Sequence, residues 1–223
     1  MGYNIAIDGP AGAGKSTIAK LVAKELGFIY VDTGAMYRGL AVHFLKKGIV
    51  PGEVEKIEAA CEDAKVELGY ENGVQQVYLN GENITSQLRE EAVGNMASVS
   101  SAVPAVRAKL LDLQRNLAKE KDVVMDGRDI GTNVLPNADV KIFLTASAES
   151  RAKRRYDELC GKGIECDFEK IKADMEYRDK NDSQRTVAPL KKADDATLID
   201  TTEYDFDGAV KLVKDLILEK TEG

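Results

Sequence analysis

Apolar and polar positions change period several times along the chain, and each change marks an element. Tyr3, Ile5 and Ile7 alternate with Asn4 and Ala6, the period of a short buried strand. Ile18, Leu21, Val22 and Leu26 then recur at helical spacing. Residues 28 to 31 read as a second buried strand ending at Asp32-Thr33-Gly34, and a helix from about 35 to 47 closes at Gly48. A further helical pattern covers about 53 to 64, after which alternation returns in Val66, Leu68 and Tyr70 and again in Val74, Val77 and Leu79. Asn72-Gly73 separates these runs and Asn80-Gly81 precedes Ile84. Asn-Gly pairs suit the two positive-φ positions of a tight hairpin turn, so residues 65 to 85 are expected to form a small antiparallel meander.

Residues 87 to 119 are helical in period with Pro104 inside. Proline removes a ladder hydrogen bond, so this segment is expected to be two helices or one sharply kinked. Val123-Val124-Met125-Asp126 and Val140-Lys141-Ile142-Phe143-Leu144 read as central strands, and Thr197-Leu198-Ile199-Asp200 as the last one. Between them lie two densely charged helices, 148 to 160 and 167 to 180. The second is expected to be capped by Asp167, with Phe168, Ile171 and Met175 on one face. So much charge leaves few packing partners, and the pair is expected to move. The closing helix is expected to take Thr202 as its cap, with Asp205 three residues on and a stripe of Phe206, Val210, Val213 and Ile217. Strands alternating with helices imply an α/β fold, a parallel sheet with helices on both faces and ligands at the carboxyl ends of the strands. That rule sets Gly9, Asp32, Asp126 and Asp200 along one rim. The chain shows no internal repeat and no low-complexity segment.

Composition narrows the picture without redirecting it. A chain of 223 residues, 43% hydrophobic and 31% charged, suits one α/β domain with insertions or two small domains. A formal net charge of −7 argues against a nucleic-acid or anionic-membrane surface, which needs a basic excess. No apolar run approaches the ~20 residues of a membrane span, and the first residues enter a strand directly without a signal peptide, so a cytoplasmic location is expected. Cys61, Cys160 and Cys166 are odd in number and lack C-x-x-C spacing, which supports neither a disulfide framework nor a zinc site. All three read as reduced thiols, although Cys160 and Cys166 bracket a Gly161-Lys162-Gly163 turn that could bring them together. His43, the single histidine, lies in a helical pattern and reads as a packed or surface side chain, so the chemistry is expected to do without histidine.

Candidate chemistry begins between the first strand and the first helix. Gly9-Pro10-Ala11-Gly12-Ala13-Gly14-Lys15-Ser16 fits the phosphate-binding loop pattern G-x-x-x-x-G-K-[ST] in its required order of strand, loop and helix. At background glycine usage the fixed positions would coincide by chance on the order of one time in a hundred. Loop glycines turn several backbone N–H groups toward one point, and the helix N-terminus adds partial positive charge. Lys15 would reach the β- and γ-phosphates of a bound triphosphate, the Ser16 hydroxyl would ligate Mg²⁺, and Thr17 would support the same cradle. Asp126, at the end of its apolar strand, sits where a carboxylate can hold Mg²⁺ beside that serine.

A second set of basic residues is not required by the loop. Tyr37-Arg38 follows Asp32-Thr33-Gly34, Arg128 lies in Asp126-Gly127-Arg128-Asp129, and Arg185 closes the run from Asp182. Guanidinium groups bind phosphate through paired donors and keep their charge at physiological pH. A nucleotide switch needs few of them, whereas an enzyme aligning two phosphates needs several. Arg151, Arg154 and Arg155 share a face of one charged helix, with Arg178 on the next, and such a pair reads as a lid that excludes water during phosphoryl transfer.

These residues carry a specific resemblance. I-D-G-P-A-G-A-G-K-S-T at Ile7 to Thr17, D-T-G-A-M-Y-R at Asp32 to Arg38, D-G-R-D-I-G-T at Asp126 to Thr132, V-K-I-F-L at Val140 to Leu144 and R-x-V-A-P-L at Arg185 to Leu190 resemble the bacterial cytidylate kinases, within the nucleoside monophosphate kinases of P-loop fold. The segments span nearly the whole chain in family order, and the meander resembles the insert of the bacterial members. The resemblance implies ATP as donor, CMP or dCMP as acceptor and Mg²⁺ as cofactor. It implies that Arg38, Arg128 and Arg185 hold the acceptor phosphate, with Thr33 where the family often has serine, that Ser98, Arg107 and Asp129 face the cytosine, and that Asp182 faces the sugar. A carboxylate, a hydroxyl and a guanidinium complement the N4 donor and the N3 and O2 acceptors of that base.

The expected protein is a monomer of three parts: a core of residues 1–33, 96–147 and 183–223, an acceptor-binding region of 34–95 and a lid of 148–182. Lys15, Arg128, Arg185, Arg155 and Arg178 are the expected catalytic residues. Two rivals remain at this stage: a kinase for another small acceptor such as AMP, UMP or shikimate, and a regulatory nucleotide switch without an acceptor.

Overall fold

The computed structural model describes residues 2–222. In chain order the elements are β1 (Asn4–Asp8), α1 (Lys15–Leu26), β2 (Ile29–Asp32), α2 (Thr33–Lys46), α3 (Val54–Cys61), β3 (Val66–Glu71), β4 (Val74–Leu79), β5 (Glu82–Asn83), α4 (Glu91–Ser100), α5 (Pro104–Glu120), β6 (Val123–Gly127), β7 (Val140–Thr145), α6 (Ala148–Gly161), α7 (Phe168–Gln184), β8 (Thr197–Asp200) and α8 (Phe206–Glu222). Five strands form one parallel sheet in the order β2-β6-β1-β7-β8. Helices cover both faces, so the central strands are apolar at successive positions, and every residue of β6 is buried.

Alternate side chains of the strands feed two cores. Ala6, Val31 and Met125 pack under Met36 and Phe44 of α2, Met96 of α4 and Leu110 of α5. Ile5, Ile7, Val124 and Ile142 pack on the other face under Ile18 of α1 and Val213 and Ile217 of α8. The parallel register pairs Asp8 with Gly127, Asp32 with Asp126 and Thr145 with Asp200, which lines up the carboxyl ends on one rim.

The meander forms as the alternation implies, with β3 pairing β4 and β4 pairing β5 antiparallel. Its turns need left-handed backbone at two successive residues, and Asn72 (φ 51°), Gly73 (75°), Asn80 (50°) and Gly81 (85°) supply it. The sheet rests on α2 through Val66 and Val77, which lie against Gly39. Pro104 opens α5 as its first residue, where its missing N–H costs nothing, so the long helical pattern resolves into two helices rather than a kink.

Asp167 caps α7 by accepting from the Lys170 N–H at 2.9 Å. The expected cap and stripe of α8 need correction. Asp205 rather than Thr202 caps the helix, accepting from the Gly208 N–H at 2.8 Å, while the Thr202 hydroxyl turns back to Asp200. Phe206 is 49% exposed, and Ala209 takes the inner position with Val213 and Ile217. A helix that starts three residues later rotates its first turn away from the core.

Candidate active site

The phosphate-binding loop leaves β1 under tight constraint. Gly9 has φ +148°, and a Cβ there would stand 1.9 Å from the Leu144 carbonyl oxygen of β7, so only glycine lets the chain pass. α1 begins at Lys15, with Ser16 and Thr17 exposed in its first turn, which points the positive end of the helix into the cleft. The Lys15 side chain is buried and its Nζ donates to the Pro10 carbonyl at 2.7 Å. Burial first, and then the Arg128 charge, push the Lys15 ammonium below the usual lysine range. Anionic oxygens in the loop would reverse that balance.

Asp126 gathers the neighbouring groups. Its Oδ2 accepts from the Ser16 hydroxyl at 2.8 Å, its Oδ1 from the Tyr30 hydroxyl at 2.9 Å, and its carbonyl from Thr33 Oγ1 at 2.7 Å. Burial and the adjacent Asp32 carboxylate push Asp126 above the ordinary range. A raised carboxylate paired with a serine hydroxyl is a hard-oxygen donor set short of positive charge, and it fits Mg²⁺ held by few protein ligands. Among the described residues no cluster of three or more His, Cys, Asp or Glu forms a metal cage.

Opposite the loop, acidic partners orient the arginines. Asp32 caps α2 through the Ala35 N–H at 2.8 Å, and its other oxygen holds Arg38 at 3.0 Å. Asp182 takes Arg128 Nε at 2.9 Å on one oxygen and lies 3.7 Å from Arg185 Nη1 with the other. Arg185 is buried, and among the described residues its Nε and Nη2 have no partner. Leaving two guanidinium donors buried and unpaired costs about 1–3 kcal/mol each, unless an anionic ligand completes them. Deeper in, Arg107 donates to Asp129, whose Oδ2 also accepts from Asn133 at 3.1 Å. The Arg107 guanidinium lies 5.5 Å from the Tyr37 ring centroid, and burial pushes the Tyr37 phenol up to about 12. Ser98 lines the same cavity, its carbonyl accepting from Ser101 Oγ.

The arginines of α6 and α7 divide into two kinds. Arg151 is fully engaged, donating to the Ala146 and Ala11 carbonyls and to Asp179, so it ties α6 to the phosphate loop and to α7. Arg154 donates to the Thr201 and Tyr204 carbonyls behind β8. Among the described residues Arg155 bonds only Glu158 on its own helix, and Arg178 reaches Asn95 of α4 at 2.9 Å. Met175 of α7 lies against Gly12. One cleft of about 980 Å³ is lined by Ala11 to Ile18, by Arg38, Arg107, Arg128, Arg155, Arg178 and Arg185, and by Thr33, Tyr37, Asp126, Asp129 and Asp182. Gly9 and Pro10 lie buried beneath it. His43 stands elsewhere, buried in α2 beside Asp63.

Asp8 supports the site from beneath, a role that the pattern of the sequence does not disclose. Its two oxygens each accept one backbone N–H at 2.7 Å, from Ile130 and Gly131, and it is 4% exposed. Those bonds hold a π-helical turn, Ile130–Val134, directly after Arg128 and Asp129. Burial raises the Asp8 carboxyl to about 6 despite the two N–H donors. A carboxylate ending an apolar strand was the signal that singled out Asp126, and Asp8 ends β1 in the same way. Tyr30 and Asn95 carry no comparable local signal.

A family model described as cytidylate kinase matches residues 5–219. The chain belongs to the cytidylate kinase family. A cytidylate kinase from Caldicellulosiruptor saccharolyticus is 49% identical over 213 residues, covering 96% of this chain and 94% of that protein. Another, from Anoxybacillus flavithermus, is 48% identical and covers 99% and 98%. Membership of the cytidylate kinase family makes the protein a nucleoside monophosphate kinase, a phosphotransferase. The fold alone is shared with an uncharacterized protein from Eubacterium ventriosum, with TM-score 0.54, 14% identity and 99% of both chains covered.

Proposed function

We propose that the protein transfers the ATP γ-phosphate to CMP or dCMP with Mg²⁺, giving ADP and CDP or dCDP. The observation that carries this reading is the buried Arg185, whose two unpartnered donors share one cleft with the phosphate loop. A donor site alone would not need it.

In this reading Lys15 leaves the Pro10 carbonyl for the β- and γ-phosphates, and the loop N–H groups from Gly9 to Thr17 cradle the rest. Arg38, Arg128 and Arg185 hold the acceptor phosphate, and Asp182 keeps the last two aimed and faces the sugar. Asp129, Arg107 and Ser98 read the cytosine edge. Arg155 and Arg178, whose bonds within the protein are few, close onto the transferred group. Ser16 and Asp126 would hold Mg²⁺, which when bound neutralises charge on the polyphosphate. No general base is required, because the second phosphate pKa is about 6 and the attacking oxygen is already largely deprotonated at neutral pH. Rate enhancement then comes from alignment and charge stabilisation in a closed site.

The reading divides the chain into a core of 1–33, 96–147 and 183–223, an acceptor region of 34–95 and a lid of 148–182. It takes the protein as a cytoplasmic monomer with nucleotides as its partners and neither nucleic acid nor membrane among them. The net charge of −7 weighs against a nucleic-acid or anionic-membrane partner, and no helix among the described residues is long and apolar enough to cross a membrane. The test is ADP release measured across acceptors at fixed ATP. CMP and dCMP should give the highest kcat/KM; equal or better turnover of UMP, AMP or shikimate would overturn the assignment.

A further inference from the structure

The tip of the lid carries a thiol pair that phosphoryl transfer does not use. Cys160 lies in the last turn of α6 and Cys166 immediately before the Asp167 cap of α7, with five residues between them. Their sulfurs stand 3.8 Å apart, and Cys166 Sγ also points at the Tyr156 carbonyl at 3.9 Å. Cys160 is exposed and Cys166 half-buried, whereas Cys61 is enclosed in the core. Tyr156 and Phe168 meet edge to face across the same junction, with ring centroids 6.1 Å apart, and hold the two helices in register. The intervening turn can adjust: Gly163 has φ +70°, and a Cβ at Gly161 or Gly163 would meet nothing within 4 Å. Closing the sulfurs to a covalent distance of about 2.0 Å therefore asks for movement in an open glycine turn rather than in packed structure.

We infer that Cys160 and Cys166 are a redox modification site, forming a disulfide with hydroperoxides that staples α6 to α7 and restrains the lid. The Cys160 thiolate attacks the terminal peroxide oxygen, breaking the O–O bond and releasing hydroxide from hydrogen peroxide, or alkoxide from an organic hydroperoxide, while its sulfur becomes a sulfenic acid. The Cys166 thiol then attacks that sulfur, the S–S bond forms, and water leaves with the Cys166 proton. The two sulfurs together give up two electrons, which reduce the peroxide. Burial and the Cys160 sulfur hold the Cys166 thiol above the usual range, which suits it to the second, resolving step rather than the first. Arg151, Arg154 and Arg155 lie on one of the stapled helices and Arg178, Asp179 and Asp182 on the other. A tie at their shared end limits how far the two can shear.

The activity consequence rests on the proposed lid role, but bridge formation does not, and the two are read separately. Purified protein is treated with hydrogen peroxide, alkylated, and mapped by peptide mass without reduction. One bridge per chain between Cys160 and Cys166 is expected, with Cys61 alkylated only after unfolding. Cys160→Ser and Cys166→Ser should each abolish it. In the bridged protein, amide hydrogen exchange across residues 148–184 should slow, and kcat for CMP phosphorylation should fall by about threefold or more, recovering with a dithiol reductant. Both thiols remaining alkylatable, a bridge between chains, or over-oxidation of Cys160 without a bridge would overturn the site. A bridge that leaves lid exchange unchanged would overturn the restraint, and slowed exchange in a protein without CMP-dependent turnover would indict the functional reading alone.

Discussion

Removing Asp129 should do more than delete the proposed contact to the base. Its carboxylate and the Arg107 guanidinium are each 6% exposed, and they pair inside the protein. Asp129→Ala leaves Arg107 with a 3.3 Å bond to the Ser101 carbonyl and the Tyr37 ring, and takes the acceptor from Asn133. An uncompensated buried charge of this kind costs about 3–5 kcal/mol. Arg107→Met strands the carboxylate in the same way and should cost a similar amount. The double variant removes both charges and loses only packing and one amide bond, about 1–3 kcal/mol. The coupling between the sites should therefore be at least about 3 kcal/mol, far above the ~0.5 kcal/mol scatter of independent sites. Urea denaturation at pH 7 of the wild type, both single variants and the double measures it, with m-values checked for constancy. Additive losses would refute the pair as a unit. If the double variant folds, its KM for CMP should rise at least tenfold more than its KM for ATP, since the base edge and not the phosphate loop has been altered.

Three further outcomes follow from single groups. Lys15→Ala should lower kcat by about three orders of magnitude with the circular dichroism spectrum unchanged, because a preorganised cation at the transferring phosphate is lost; activity within tenfold of wild type would show the loop lysine to be misassigned. Arg185→Met should raise melting temperature or leave it level while KM for CMP climbs, since two unsatisfied buried donors disappear along with the anion site; a large loss of stability with KM unchanged would make the arginine structural. For Asp8 the folded carboxyl sits near 6 against an ordinary value of 3.8, so the native state keeps a proton that the unfolded chain releases between those values. That contribution is present below the lower value and is lost as pH rises through the higher one. Stability of the wild type relative to Asp8→Asn should thus fall by about 3 kcal/mol between pH 4 and 7, read by urea midpoints, and a constant difference would contradict it.

Local periodicity made most of the scaffold legible. The strand alternation, the Asn-Gly turns and the break at Pro104 are decided by residues within a few positions of one another, and the structure forms each of them. Strand order is decided elsewhere: β1 lies between β6 and β7, more than a hundred residues away, where Ile5 and Ala6 face opposite cores. The start of α8 was misjudged because Thr202 and Asp205 are equally good caps in sequence, and the bond between Thr202 and Asp200 removes one of them. Site residues that follow strand ends were visible for the same reason as the strands. The pairings that aim them, Asp179 with Arg151 and Asp182 with Arg128, are not, since nothing in a solvated-looking helix says which charge will meet which.

In the proposed reaction one cleft aligns two phosphates for direct transfer. Phosphorus NMR of ATP, Mg²⁺, CMP and enzyme tests it most directly. Loss of the ATP γ-resonance should be matched one for one by the β-resonance of CDP, with no inorganic phosphate and no loss when CMP is omitted. Inorganic phosphate released at a rate independent of CMP would contradict it.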